Sequence, residues 1–242
     1  ATRPFAFEPY EWSFPVVGTV PYKGFFRQEL AVKEMERVRS LGYDAGIRTV
    51  GGWSTLGWFR DPILSDMLGR SDGDLANLII HELVHATIFV KDSVTFNENL
   101  ASFIGDRGAV EFLKSNFGEE SIQLKNYHTE LDDEIRYADH ILRGADRLDS
   151  LYRNNNSMDS SALAGLKTDM IKEIVNSMDT LNLTYTYGVL QRLRQDLPNN
   201  TYFMSFIRYR ERQQDLDSLY INRYNSNLVQ MINALKNTYP YL

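Results

Sequence analysis

The stretch Leu78-Ile79-Ile80-His81-Glu82-Leu83-Val84-His85 decides how this chain folds. It lies within a run from Asp74 to Val90 that contains no Gly or Pro, and apolar residues cover nearly every face of the helix that the run predicts. Ser71, followed three residues later by Asp74, is typical of a helix start. We therefore expect one helix over 74–90, buried inside a domain.

Two histidines of this stretch share one face of the predicted helix. His81 and His85 lie four residues apart, about one turn, and they are half of the chain's four histidines. Two imidazoles at this spacing can reach a single Zn²⁺ ion, and Glu82 beside them can act as the general base for an attacking water. The alternative is a pair of core histidines satisfied by hydrogen bonds, but two imidazoles in an apolar helix are costly to bury without a shared partner.

A catalytic zinc site needs a third protein ligand. Asp92 and Glu98 are the carboxylates that follow closely. Asp92 falls in the turn after the first helix. Glu98 falls in the first turn of a second helix, predicted over 97–116, which a short connection folds back antiparallel. Ala101 is small enough for the two helices to pack closely. We predict Glu98 as the third ligand; the alternative is a glutamate that only stabilises the start of its helix.

Composition excludes several other kinds of protein. The chain has 242 residues, of which 43% are hydrophobic and 24% charged, as in an ordinary soluble globular protein. Its net charge of −6 argues against nucleic-acid binding. Because there is no cysteine, a thiol nucleophile and a Cys-ligated zinc site are excluded. No run of about 18 apolar residues occurs, so we expect no membrane span.

Periodicity predicts an α+β fold that is mostly α-helical. Strands are predicted over 14–20 and 43–50, on either side of a helix that Gly42 ends. From residue 119 onward the pattern is helical, with breaks near 154–156 and 197–200. We therefore predict a catalytic core with a small N-terminal sheet over 1–118, and a helical portion over 119–242 that completes the cleft and need not be a separate domain.

The start of the chain, Ala1 to Pro4, lacks the apolar stretch of a signal peptide. We expect a cytoplasmic location for such a chain, or a periplasmic or membrane-anchored one outside the cytoplasm if a leader has been removed. The sequence specifies no oligomeric state.

Nearly the whole chain resembles a bacterial family of "predicted aminopeptidases", which belongs to the gluzincin zinc peptidases. In gluzincins a Glu on the helix after His-Glu-x-x-His is the third ligand, although in several branches the gap is longer than the twelve residues between His85 and Glu98. Many family members carry cysteines where this chain has Ser13 and Thr19. The motifs that carry the resemblance are Trp12 to Gly18, Pro21 to Phe26, Ser54 to Pro62, the His81–His85 helix, Thr95 to Glu98 and Pro198 to Asn200.

This resemblance implies a zincin-like core, one zinc ion, a peptide substrate and aminopeptidase activity. It also implies a tyrosine or histidine from a downstream helix that stabilises the oxyanion. Tyr202 and Tyr209 are the first candidates, and His128 and His140 come next. An endopeptidase with the same site, and a helical interaction protein with a silent metal site, are the alternatives.

Two further groups of residues are predicted to support the site. The loop that precedes the His81–His85 helix resembles the substrate-lining strand of gluzincins, and its backbone can pair with an extended peptide. Residues close to Glu98 can form a second shell around the ligands. The loop residues are Gly51, Gly52, Thr55 and Gly57, and the second-shell residues are Asn97 and Ser102.

Overall fold

The computed structural model describes residues 1–14, 18–48, 65, 67–185 and 187–239. Helices dominate this part of the chain, and a small antiparallel sheet precedes them. The prediction of a mostly helical α+β fold is therefore confirmed. The predicted substrate-lining residues Gly51, Gly52, Thr55 and Gly57 lie outside the described residues.

The sheet has two short strands, β1 (Trp12–Phe14) and β2 (Gly18–Val20). They pair antiparallel, with Trp12 opposite Val20. The single strand predicted over 14–20 is therefore wrong, because the apolar run is divided between the two arms of a hairpin. The strand predicted over 43–50 is also not formed in its described part, where the backbone of Asp44 makes an isolated bridge with Thr2.

The helices follow in chain order, and two short 3₁₀ turns accompany them at Met67–Gly69 and Met178–Leu181. The helices are α1 (Gln28–Ser40), α2 (Asp72–His85), α3 (Val94–Phe117), α4 (Ile122–Asn154), α5 (Ser160–Ser177), α6 (Tyr187–Gln195), α7 (Asn200–Arg210), α8 (Gln213–Tyr224) and α9 (Leu228–Thr238). None of the helices in the described part of the chain combines the length and the apolar character that crossing a bilayer requires.

Local sequence determines several helix ends. Gly42 adopts a φ of 86°, and its N–H donates to the carbonyl of Arg39 at 2.9 Å, so α1 ends where the sequence predicts. Ser71 caps α2 through a hydrogen bond that its hydroxyl accepts from the N–H of Asp74 at 3.1 Å. However, α2 ends at His85 and not at Val90, because the backbone tightens there into a turn.

Contacts divide the chain into two compact units. The first contains Ala1–Thr49 and Arg136–Phe206, and the second contains Val50–Ile135 and Ile207–Leu242. Each unit therefore combines segments that are distant in sequence. The division of the chain at residue 118 stays a prediction.

Buried polar residues fix the N-terminal segment in the first unit. Lys167 is 8% exposed, and its ammonium group donates to the carbonyl of Pro4 at 2.7 Å and pairs with the carboxylate of Asp44. Asn200 is fully buried, donates to the same Pro4 carbonyl at 3.2 Å and accepts from the hydroxyl of Tyr152 at 2.7 Å. The first residues of the chain are therefore part of this unit's core.

Close packing of α2 against α3 organises the second unit. A Cβ at Gly105 of α3 would lie only 2.9 Å from the side-chain oxygen of Asn77 on α2, so the two backbones approach closely. Ala101 is completely buried, as the sequence predicts. The expectation that α2 is buried on nearly every face is wrong, because Ile79 and Leu83 are 37% and 58% exposed.

Replacing Lys167 with Met should destabilise the protein by about 3 kcal/mol, because Asp44, whose side chain is only 18% exposed, would keep its charge without its cationic partner. Chemical denaturation would measure this difference in the free energy of unfolding. Lys172→Met on the same helix is the matched control, since the Lys172 side chain is 54% exposed in its pair with Asp169 and should contribute little. Equal effects of the two substitutions would contradict the buried pair.

Candidate metal centre

Three side chains of α2 and α3 bring one ligand atom each to a common point. The Nε2 atoms of His81 and His85 lie 3.2 Å apart, and each lies 3.3 Å from Oε2 of Glu98. The imidazole of His85 is buried, and the other two side chains are 15% and 13% exposed. The structure therefore assembles the three predicted ligands into one nearly equilateral triangle.

The size of this triangle fits a tetrahedral metal ion. With ligand distances of about 2.0–2.2 Å, two atoms at a tetrahedral angle lie about 3.3–3.6 Å apart. The separations between His81, His85 and Glu98 are 3.2, 3.3 and 3.3 Å. Imidazole nitrogen and carboxylate oxygen are also ligands that first-row divalent metals accept. This group could therefore hold a metal ion.

The connection between the two helices is held by Asn97. Its side-chain oxygen accepts from the N–H of Val90 at 2.9 Å, and its amide donates to the carbonyl of the same residue at 2.8 Å. The predicted start of this helix at residue 97 is wrong, since α3 begins at Val94 and Asn97 lies inside its first turn. Instead, Asn97 fixes the loop so that Glu98, the next residue, faces α2. Its second-shell role stays a prediction.

Electrostatics keep the Glu98 carboxylate ionised. Burial by itself raises the pKa of Glu98, but hydrogen bonds and charge interactions with His81 and His85 together outweigh burial and lower this pKa to about 2. A negative carboxylate therefore faces the two imidazoles over the whole neutral pH range. This charge favours a cation at the centre of the group.

Tyr209 lies beside the group. Its ring stacks on the imidazole of His81, with centroids 6.2 Å apart and an angle of 28° between the planes. Tyr202, the other predicted tyrosine, belongs to the first unit, where its hydroxyl hydrogen-bonds that of Tyr137 and burial raises its pKa. Of the two candidates, Tyr209 is the one with a described contact to a predicted ligand.

Two further predicted site residues, Glu82 and Ser102, lie on the same two helices. Glu82 is half-buried on α2 next to His81. Ser102 is 6% exposed on α3, one turn after Glu98. The catalytic role of Glu82 and the second-shell role of Ser102 stay predictions. Of the next candidates, His140 belongs to the first unit, where its Nε2 lies 2.9 Å from the carbonyl of Ile174.

A buried polar network supports the α2–α3 pair, and the sequence prediction did not include it. The amide of Asn77, one turn before His81, donates to the carboxylate of Asp106 at 2.7 Å and to the hydroxyl of Tyr127 at 2.8 Å. Arg210 pairs with the same carboxylate. A signal was present, because Asn77 is a polar residue in an otherwise apolar stretch.

Comparison with known proteins identifies a family that this chain matches. A family model described as "Putative aminopeptidase" matches residues 1–239. No curated protein and no solved structure matches the chain.

The close approach of the two ligand-bearing helices can be tested with Gly105→Ala. The new methyl group would lie 2.9 Å from the side-chain oxygen of Asn77 and 3.2 Å from its backbone oxygen, so the side chain and the backbone of Asn77 must both shift away from α3. We expect a loss of about 1–3 kcal/mol in the free energy of unfolding and about tenfold weaker binding of a divalent metal ion, tested with zinc. Calorimetry would measure the zinc affinity, and denaturant titration the stability.

Gly165→Ala on α5 is the matched control for this substitution. A Cβ there meets no atom within 4 Å, so helix propensity should raise stability by about 0.5–1 kcal/mol and leave zinc affinity unchanged. If both variants bound zinc as the wild type does, close helix contact would not determine the ligand geometry.

Proposed function

Because the chain belongs to the Putative aminopeptidase family, we propose that it is a zinc-dependent metallopeptidase of the gluzincin type, which removes residues from the amino terminus of peptides. The observation that carries this proposal is the convergence of His81, His85 and Glu98. We also propose that the α2–α3 pair is the core of a zincin-like catalytic domain.

Zinc is the metal that suits this donor set best. Two imidazoles and one carboxylate are a common catalytic zinc set, which leaves a fourth position for water or substrate. A structural zinc site would instead fill all four positions with protein ligands. A zinc ion bound here would supply a Lewis acid that polarises a peptide carbonyl and lowers the pKa of water.

Glu82 is proposed as the general base and acid. It follows His81 directly on α2, so its side chain leaves the helix about 100° around the axis from the imidazole. From this position the carboxylate accepts a proton from the attacking water and delivers it to the leaving amine. Glu82 therefore has a different role from the three proposed ligands, although it lies on the same helix as two of them.

Tyr209 is proposed as the oxyanion donor. Its ring stacks on His81, which keeps the phenol next to the ligand group. Its hydroxyl would donate to the oxygen of the tetrahedral intermediate, where negative charge develops. The predicted loop residues Gly51, Gly52, Thr55 and Gly57 would line the bound peptide, as the resemblance to gluzincins implies.

The proposed activity can be tested with Glu82→Gln. We expect the variant to bind zinc like the wild type and to lose about 100-fold or more in kcat/KM, because the carboxylate that moves the proton is gone. Chelation should abolish wild-type turnover, and added zinc should restore it. Glu111→Gln, which alters a 66% exposed glutamate on α3, is the matched control and should keep full activity.

The same activity assay also distinguishes the alternative functions. Cleavage of amino-acid anilides would support an aminopeptidase, whereas cleavage of blocked, internally quenched peptides would indicate an endopeptidase. Full activity of zinc-loaded Glu82→Gln would overturn the role of Glu82. Zinc binding without hydrolysis of any peptide would favour the silent-site alternative.

The role of Tyr209 is tested with Tyr209→Phe, which keeps the ring and removes the hydroxyl. We expect kcat to fall by about 100-fold with little change in KM or zinc affinity, since the lost hydrogen bond acts mainly in the transition state. Tyr202→Phe is measured in parallel. If Tyr202→Phe lost turnover and Tyr209→Phe did not, the oxyanion role would pass to Tyr202.

A further inference from the structure

We propose that Asn99 is a positioning residue, which holds the last turn of α7 and thereby keeps the ring of Tyr209 on His81. Its effect on turnover rests on the proposed function, in which Tyr209 is the oxyanion donor. Its effect on the position of the ring does not, because that effect concerns the contact between Tyr209 and His81 alone.

Asn99 is completely buried in the second unit, directly after the proposed ligand Glu98 on α3. Its amide nitrogen donates to the carbonyl of Arg208 at 2.7 Å and to that of Thr95 at 2.9 Å. Its side-chain oxygen accepts from the backbone N–H of Arg212 at 2.8 Å. One side chain therefore holds the backbone on both sides of Tyr209.

The end of α7 needs such partners. The last four carbonyls of a helix accept no hydrogen bond from within the helix, because no helical N–H follows them. Since α7 ends at Arg210, the carbonyls of Arg208 and Tyr209 are among these. Asn99 supplies a donor to the carbonyl before Tyr209. Gln213 supplies another to the carbonyl of Tyr209 itself, at 3.2 Å, and its amide also donates to the backbone carbonyl of Asn99 at 2.9 Å.

An amide side chain suits both tasks at once. It donates from nitrogen and accepts at oxygen, whereas a carboxylate only accepts and an aliphatic side chain does neither. Asp at position 99 would place a buried negative charge against the carbonyl of Arg208, and Leu would remove the hydrogen bonds of Asn99 to that carbonyl and to the N–H of Arg212. The amide therefore selects one arrangement of this segment.

Two consecutive residues of α3 face two different parts of the site. Glu98 faces His81 and His85, while Asn99, about 100° further around the helix, faces the end of α7. The same turn of α3 thus sets the position of a ligand and of the ring that stacks on another ligand. Any displacement of this turn changes both.

The kinetic test is a double-mutant cycle between Asn99→Ala and Tyr209→Phe. In the wild-type background, Asn99→Ala should lower kcat about tenfold or more, with zinc affinity and KM within about twofold. In the Tyr209→Phe background the same substitution should have almost no further effect, because the hydroxyl that it positions is absent. Equal losses in both backgrounds would overturn the proposal.

A spectroscopic test does not depend on activity. The chain has only four histidines, so ring-¹³C-labelled histidine gives a few well-separated NMR signals. In Asn99→Ala, the ring signals of His81 should move towards their positions in Tyr209→Ala, where the stacked ring is missing. The signals of His128 and His140 should stay. Unmoved His81 signals would overturn the proposal even if no peptidase activity were found.

Two controls separate positioning from stability. Lys167→Met removes a buried polar side chain from the first unit, so it should destabilise the protein and leave kcat unchanged. Gln213→Ala leaves the sequence of α3 unchanged and removes the hydrogen bonds from Gln213 to the carbonyls of Tyr209 and Asn99, so it should reproduce the Asn99→Ala changes in a milder form even if Asn99→Ala does not fold. A normal kcat and normal His81 signals in Gln213→Ala would contradict the proposal that side-chain hydrogen bonds at the end of α7 position Tyr209.

Discussion

The close approach of α2 and α3 is the constraint on which the described site depends. Gly105 leaves no Cβ between the helices, and the carbonyl and side chain of Asn77 occupy the space. When the two helices are this close, histidine and glutamate side chains from both of them can reach the same point and share one ion. If the helices were further apart, Glu98 would no longer contact His81 and His85 and would face solvent instead. The ligand triangle is thus a consequence of packing as much as of ligand identity.

Polar contacts give this packing one arrangement. Apolar helices can slide or rotate at modest cost, whereas buried hydrogen-bonding groups must keep their partners. Asn77 and Asp106 bind each other across α2 and α3, Asn97 fixes the loop between these helices, and Asn99 secures the end of α7. Each of these side chains is at least partly buried. Together they select the register in which Glu98 meets the histidines.

The sequence predicts those features that depend on local spacing. His81 and His85 are one turn apart, and the short connection limits where Glu98 can lie, so spacing alone is enough to predict the three-residue group. Gly42 and Ser71 mark helix ends through their own conformational preferences. Spacing does not suffice where distant segments decide the outcome, since Tyr209 is a candidate only through the family resemblance and Asn99 is not predicted. Tyr209 reaches His81, and Asn99 reaches Arg208, across more than a hundred residues, and periodicity carries no information about such contacts.

The adjacency of Glu98 and Asn99 limits how this segment can change length. One residue inserted within the first two turns of α3 would rotate everything after it by about 100°, so the carboxylate and the amide would both face the wrong neighbours. Substitutions nearby can be absorbed by repacking, but a rotation of the helix cannot. Among related chains, insertions and deletions should therefore collect before Val94 or beyond Gly105 and leave the interval between them at constant length.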